Sequence, residues 1–162
     1  MPRPVELALV YRSDRPGRLC DRVAAWVVGE VWGRPDFTLS LVEAMGEGAA
    51  QRLDRAEACL LLSEAVEAPG LAPLLRGAAW QGRPVALLGP GGAALRRRLA
   101  LLRAVVVPER LVLPDAANLT EDGWLRHPGD IPARFAALLD RLHWWALVLR
   151  QARAATLQGR AA

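Results

Sequence analysis

The sequence of 162 residues contains no lysine, so all 21 of its basic side chains are arginines. It also has only two cysteines and two histidines. Cys20 and Cys59 are too few for a disulfide framework, and we expect both to be small buried core residues. His127 and His143 are far apart, and no Cys/His cluster has the spacing of zinc ligands. No metal site is predicted.

Long apolar runs are also absent, because none reaches the length of about 18 residues that crosses a bilayer. Glu6 interrupts the short apolar stretch near the N-terminus and no small-residue cleavage site follows it, which predicts no signal peptide. Hydrophobic residues nevertheless make up 52% of the chain, enough for a folded domain of ordinary size. We therefore expect a cytoplasmic protein without membrane partners, with one domain over 1–153 and a frayed tail over 154–162.

The formal net charge is +4 and the isoelectric point is near 10.3. Because every basic residue except the two histidines is arginine, the high isoelectric point indicates a genome-wide compositional bias more than a nucleic-acid partner. The arginines are scattered, and the one run, at 96–98, lacks the interleaved aromatic residues of a base-stacking surface. A solvated helix face is predicted there, and no nucleic-acid binding.

Short apolar segments alternate with helical patterns along the whole chain. The predicted strands are 5–11, 37–42, 58–62, 84–88 and 104–113, and the predicted helices are 18–32, 51–56, 71–80, 93–102 and 131–153. The alternating pattern of 37–42 suits an edge strand, and Pro108 marks a bend or an edge in the fifth strand. This order predicts an α/β fold with an open parallel sheet, whose ligands bind at the carboxyl ends of the strands.

The loop after the first strand carries the residue types of a phosphate site. Ser13 offers a hydroxyl, Arg15 and Arg18 offer forked cationic donors, and Gly17 allows close backbone approach. The following helix presents its free N–H groups to the same place. The alternative is that Ser13 or Asp14 only caps that helix and the arginines are solvated. The loop is neither a Walker loop nor a three-glycine Rossmann loop.

Three segments together resemble the NADPH-dependent FMN reductase family, a flavodoxin-like group. They are Arg-Ser-Asp-Arg-Pro-Gly-Arg at 12–18, followed by Arg-Val-Ala at 22–24; Gly-Arg-Pro-Val-Ala-Leu-Leu-Gly-Pro-Gly-Gly at 82–92; and Leu-His-Trp-Trp-Ala at 142–146. The resemblance covers nearly the whole chain. It implies a flavodoxin-like, doubly wound five-stranded parallel sheet in the order 2-1-3-4-5.

The resemblance also implies an FMN cofactor and NAD(P)H as co-substrate, with a quinone or another small molecule as electron acceptor. The flavin would carry out the chemistry, so no catalytic side chain is expected. A homodimer or homotetramer is implied, and Trp144 either contacts a partner subunit or covers the sheet. The implied cofactor-binding residues are Ser13, Arg15, Gly17, Arg18, Ser63, Gly91 and Gly92.

The sequence departs from the family in its second loop, where the family has Pro-Glu-Tyr-Asn. Val66 cannot supply the tyrosine ring, and Glu67 places a carboxylate near a flavin that is often anionic when reduced. Glu64 and Glu67 could act in acid–base catalysis, or they are solvated loop charges. Arg12 replaces a glycine of the first loop, and Asp14 adds negative charge to it. Two hypotheses follow: FMN is bound in an altered environment, or the chain is a flavin-free relative acting as a binding, scaffold or accessory protein.

Overall fold

Continuous apolar runs place three strands at the centre of a five-stranded parallel sheet. The computed structural model describes residues 3–12, 19–62, 71–89, 92–113 and 118–160 of the chain. The strand order is 2-1-3-4-5, as predicted. The strands are β1 (Val5–Tyr11), β2 (Phe37–Glu43), β3 (Ala58–Leu62), β4 (Pro84–Leu88) and β5 (Val105–Leu111). Every residue of β3 and β4 is buried, because layers of side chains cover both faces of the sheet.

Strand β2 lies at one edge of the sheet, as predicted, and β5 lies at the other. The alternating exposure predicted for β2 is not seen, because its exposed residues Thr38 and Leu41 are three apart and face opposite sides of the sheet. Val85 and Leu87 of β4 are two residues apart, but their partners in β5, Val106 and Arg110, are four residues apart. The ladder is therefore interrupted around Pro108. A proline has no N–H to donate to the ladder, and an irregular edge strand accommodates it.

Four helices cover the two faces of the sheet. They are α1 (Leu19–Trp32), α2 (Ala49–Arg55), α3 (Ala93–Leu101) and α4 (Ile131–Arg160). The apolar sides of α1 and α4 pack on one face, where the Trp26 and Phe135 rings lie 4.8 Å apart. The other face is covered by α2, α3 and the segment 71–80, with Trp80 fully buried. Cys20 and Cys59 are both buried and neither forms a disulfide, which confirms the expectation for them.

The helix predicted over 71–80 is wrong. The segment consists of turns and 3-10 conformation, the latter at Leu71 and over Ala78–Trp80, although Leu71, Leu74 and Leu75 are buried as a helix would have them. The Trp80 indole N–H donates to the Leu74 carbonyl at 2.6 Å, which occupies an acceptor that a helix would need for itself. Gly77 adopts φ +74°, a left-handed conformation that ends a helical run.

The frayed tail predicted from Ala154 is also wrong, because α4 continues to Arg160. Alanine, leucine and glutamine are good helix formers, and these residue types dominate the segment 154–158. Arg153 donates from Nη1 to the Gly82 carbonyl at 2.9 Å and so ties the end of α4 to the sheet. No helix in the described part of the chain is long and apolar enough to cross a membrane.

The amino edge of the sheet is tied to α4 by one carboxylate. Glu57 accepts from Nε and Nη2 of Arg150 at 2.8 and 2.7 Å, from Nη2 of Arg3 at 3.0 Å and from the Glu6 N–H at 3.2 Å. Burial raises the pKa of Glu57, but the hydrogen bonds from Arg150 and Glu6 and the charges of Arg150 and Arg3 outweigh it. The net pKa lies below its ordinary value of 4.5.

A hairpin-like turn between β5 and α4 is pressed against α1. Leu119 and Leu125 form an isolated antiparallel bridge, and the Thr120 hydroxyl accepts the Trp124 N–H at 2.9 Å. Gly123 lies at φ +81°, and a Cβ there would stand 2.6 Å from the Trp26 nitrogen. Only glycine fits this approach without displacing backbone.

We predict that Gly123→Ala lowers the free energy of unfolding by about 3 kcal/mol, through backbone strain plus the clash with α1. Gly129→Ala is the matched control, because Gly129 has φ +51° but nothing within 4 Å of the added carbon. That variant should lose only about 1 kcal/mol, the cost of the left-handed backbone. Urea unfolding of both variants measures the difference, and equal losses would contradict the close approach.

We predict that Glu57→Gln destabilises the fold by about 2 kcal/mol at neutral pH, because charge-assisted hydrogen bonds to two arginines are weakened. The depressed pKa means that this contribution is complete above pH 4.5 and is lost as the pH falls through the folded-state pKa. The difference between wild type and variant should therefore shrink below that pH. Glu121→Gln, at an exposed position in the hairpin-like turn, should show no such dependence.

Candidate functional site

The carboxyl ends of β1, β3 and β4 lie side by side at one edge of the sheet. The register pairs Val10 with Leu61 and Leu62 with Leu88, so the three loops that follow these strands start next to one another. From β1 the chain crosses one face through α1, whereas from β3 it continues through the segment 71–80 on the opposite face. The strand order therefore reverses between β1 and β3, which is where open α/β sheets bind ligands.

Most of the cofactor-binding residues predicted from sequence lie outside the described residues. These are Ser13, Arg15, Gly17, Arg18, Ser63 and Gly91, and the same holds for Asp14, Glu64, Val66 and Glu67. The ends of the loops that carry them are fixed: β1 ends at Tyr11 and α1 begins at Leu19. The loop 13–18 therefore connects the carboxyl end of β1 to the N-terminus of α1, as predicted.

Among the seven cofactor-binding residues predicted from the sequence, Gly92 is the one that lies within the described part of the chain. It caps α3 in extended backbone, with φ −86° and ψ 179°, and no side chain caps the helix. Gly89, directly after β4, turns the chain at φ +97°. The N-terminus of α3 thus lies at the carboxyl edge, and no side chain of the described residues caps it. Its partial positive charge favours an anion or an electron-rich ring.

A tyrosine flanked by carboxylates stands at the end of β1, and the sequence reasoning missed it. Tyr11 is half-buried and pairs in register with Glu43 at the end of β2. Burial raises the pKa of Tyr11, the negative charges of Asp21 and then Glu43 raise it further, and Arg52 opposes them. The strand order alone indicates that these three residues lie close together, because Tyr11 and Glu43 end neighbouring strands and Asp21 lies in the first turn of the helix that follows β1.

Asp21 and Arg22, near the start of α1, are both half-buried. Arg22 donates from Nη1 to the Leu119 carbonyl at 3.5 Å, in the turn between β5 and α4. The Oδ2 atom of Asp21 is buried without a hydrogen-bond partner among the described residues. A carboxylate therefore lies in the first turn of α1, directly after the loop that was predicted to bind phosphate.

Within the described ranges, no group of three or more histidine, cysteine or acidic side chains could hold a metal ion. The thiol of Cys59 is fully buried, and this burial raises its pKa to about 12 despite the nearby Arg83. Such a thiol is not a nucleophile near neutral pH. His143 packs against Phe37 with ring centroids 5.4 Å apart, a structural role.

Comparisons with solved structures bear on the fold. FerB, a flavoenzyme NAD(P)H:(acceptor) oxidoreductase from Paracoccus denitrificans, superposes with a TM-score of 0.67 at 16% identity, over 88% of this chain and 97% of that one. An NADH:FMN oxidoreductase in its apo form superposes with a TM-score of 0.53 at 11% identity, over 91% and 89%. The chain shares the flavodoxin-like fold of these flavin oxidoreductases. No family model and no curated protein matches the sequence.

We predict that Asp21→Asn lowers the pKa of Tyr11, because it removes the larger of the two carboxylate effects that disfavour the tyrosinate. Tyr11 is the sole tyrosine of the chain, so its ionisation can be followed directly by tyrosinate absorbance. Arg52→Gln should move the midpoint in the opposite direction, upward. Asp54→Asn removes the same charge at an exposed site on α2 and should leave the midpoint in place. An unchanged midpoint in Asp21→Asn would contradict the proximity of the two groups.

Proposed function

We propose that this protein is an FMN-binding oxidoreductase that passes electrons from NAD(P)H to a quinone or another small acceptor. The observation that carries the proposal is the position of the arginine-containing loop 13–18. It leaves β1 at the switch point of a sheet whose fold is shared with two flavin oxidoreductases. The family resemblance of the sequence points to the same cofactor independently of the fold.

The loop 13–18 supports the proposal as a phosphate-binding segment. The strand before it ends at Tyr11 and the helix after it begins at Leu19, so Arg15 and Arg18 belong to a seven-residue connection, 12–18, at the N-terminus of α1. A helix N-terminus and forked arginine donors both favour a phosphate over a neutral group. In this proposal Ser13, Arg15, Gly17 and Arg18 hold the FMN phosphate.

The opening of α3 supports the proposal at the flavin ring. Because Gly92 has no side chain and extended backbone, a flat ring system can approach the backbone there. In this proposal Gly91 and Gly92 lie beside the ring, and Ser63 contributes from the loop after β3. Bound FMN would supply hydride acceptance and electron transfer, so the chain would have to bind and orient the cofactor and leave its ring open to substrates.

A flavin-free relative that serves as a binding or accessory protein is the second candidate. The observation that favours it is the negative charge at the end of β1, where Asp21 and Glu43 stand close to Tyr11. The negative charge of a carboxylate such as Asp21, whose Oδ2 has no partner among the described residues, repels a phosphate placed beside it. Glu67 adds a further acidic group to the second loop of the sequence. The two candidates differ in one measurable property, the affinity for FMN.

We predict that the purified full-length chain retains FMN through desalting and shows the visible absorption bands of oxidised flavin. Arg15→Ala should weaken FMN binding by roughly tenfold or more, because a charge-assisted hydrogen bond to phosphate is lost. Arg55→Ala is the matched control: Arg55 is exposed at the end of α2, at the amino edge of the sheet, and its removal should leave the affinity unchanged.

Steady-state oxidation of NADPH with a quinone then tests the activity. A colourless protein that also fails to bind added FMN in a fluorescence titration would overturn the oxidoreductase proposal and favour the flavin-free relative. FMN binding that is equally strong in Arg15→Ala would instead reject the loop 13–18 as the phosphate site.

A further inference from the structure

A single charged side chain is buried within the described part of the chain. It is Arg83, directly before β4 at the amino edge of the sheet, and only 8% of it is exposed. Burying a cation costs free energy unless hydrogen bonds and a counter-charge compensate it, so buried arginines in folded proteins are normally paired with an anion.

The groups around the Arg83 guanidinium compensate its charge only in part. Its Nη2 atom donates to the Asp54 carbonyl at 3.3 Å, and the thiol of Cys59 lies beside it. The carbonyl is uncharged, and the thiol is protonated at neutral pH because burial raises its pKa to about 12. The Nη1 atom is buried and has no hydrogen-bond partner among the residues that the structure describes. Arg83 therefore carries a buried positive charge and a donor that no described group uses.

A second guanidinium, that of Arg153 in α4, lies close to Arg83. Its Nη1 atom donates to the carbonyl of Gly82, the residue before Arg83, at 2.9 Å, and the side chain is half-buried. Burial lowers the pKa of Arg153, and the negative charge of Glu57 opposes this effect. The positive charges of Arg83 and Arg150 lower it further, so that the net pKa lies below its ordinary value. Arg83 and Arg153, here called the arginine pair, are thus close enough for their charges to repel each other.

The carboxylates of the amino edge do not neutralise the arginine pair. Glu57 forms its ion pairs with Arg150 and Arg3, at 2.7 and 3.0 Å. The side chains of Glu6 and Asp54 form no ion pair with a residue of the described ranges. The two positive charges of the arginine pair are therefore left without a bound carboxylate from the described part of the chain.

We propose that the arginine pair binds a small oxyanion at the amino edge of the sheet, either inorganic phosphate or the phosphate group of a small monoester. The buried Nη1 atom of Arg83 forms the base of this site, and the half-buried Arg153 forms its mouth. Forked donors from two guanidinium groups suit the oxygens of a phosphate, and its negative charge relieves the repulsion between the two arginines.

The oxyanion site is separate from the proposed FMN site. Arg83 precedes β4, whereas the loop 13–18 follows β1, so the two sites lie at opposite edges of the sheet. A strand rises about 3.3 Å per residue, and the five residues of β4 alone therefore span about 16 Å. One phosphate group cannot contact both sites. The proposal stands or falls independently of the proposed function.

The first test is the stability of the full-length protein in urea as inorganic phosphate is added at constant ionic strength. A ligand that binds only the folded chain lowers the equilibrium constant of unfolding, by roughly tenfold at ten times its dissociation constant. We expect a saturable stabilisation of this kind in the wild type. Isothermal titration calorimetry gives the dissociation constant directly. The same titration with glycerol phosphate shows whether the site admits a monoester as well as the free ion.

Variants of the arginine pair test the site itself. Arg153→Gln removes the charge but keeps a donor for the Gly82 carbonyl, and it should weaken phosphate binding by roughly tenfold or more. Arg83→Met removes the buried cation. It should abolish the phosphate effect and leave the chain at least as stable as the wild type when phosphate is absent. Arg97→Gln, at an exposed arginine of α3, is the matched control and should behave as the wild type does.

Arg15→Ala separates the oxyanion site from the loop 13–18, because it should keep the saturable phosphate effect. Loss of the effect in Arg15→Ala, with Arg153→Gln unaffected, would assign phosphate to that loop and overturn the proposal. A wild type that phosphate does not stabilise would also overturn it. So would an equal gain in every variant, which is the general effect of phosphate salts on folded proteins. If Arg83→Met does not fold, the comparison of Arg153→Gln with Arg97→Gln decides.

Discussion

Burial of the central strands on both faces is the constraint on which the rest of the structure depends. Strands β3 and β4 carry no polar side chain that could face water, so a layer must cover each side of the sheet. Crossovers on opposite faces then follow, and with them the reversal of strand order between β1 and β3. The candidate ligand site is a consequence of this reversal, because the loops after β1 and β3 have no strand or helix between them.

The carboxylates at the two edges of the sheet differ in their hydrogen bonding. At the amino edge Glu57 accepts from Arg150, Arg3 and the Glu6 backbone, which fixes α4 to the sheet, although Arg83 Nη1 at the same edge is buried without a described partner. At the carboxyl edge Asp21 Oδ2 has no described partner, and no described side chain caps the N-terminus of α3. The helix N–H groups at the carboxyl edge are donors that a ligand can satisfy.

The long helix α4 completes the core with one side and faces outward with the other. Phe135, Leu138 and Leu142 belong to one layer of the core, whereas Trp144 lies on the outer side with its ring against that of Trp145. The two sides are separated by the helical period, so a residue on the outer side can change without repacking the core.

The sequence by itself determined the parallel sheet, its strand order through the family resemblance, the edge position of β2, the irregularity at Pro108 and the burial of both cysteines. Apart from the strand order, these features depend on local apolar patterns or on a missing N–H, which a single segment carries alone. The tertiary structure decided the rest. The Leu74 carbonyl bonds the Trp80 indole in place of a helical N–H, and Gly123 is required only because α1 lies against it. The half-buried position of Arg22 likewise depends on a turn almost a hundred residues away in the chain, since its Nη1 donates to the Leu119 carbonyl across 97 positions. Such contacts join segments that are distant in sequence, and no local pattern encodes them.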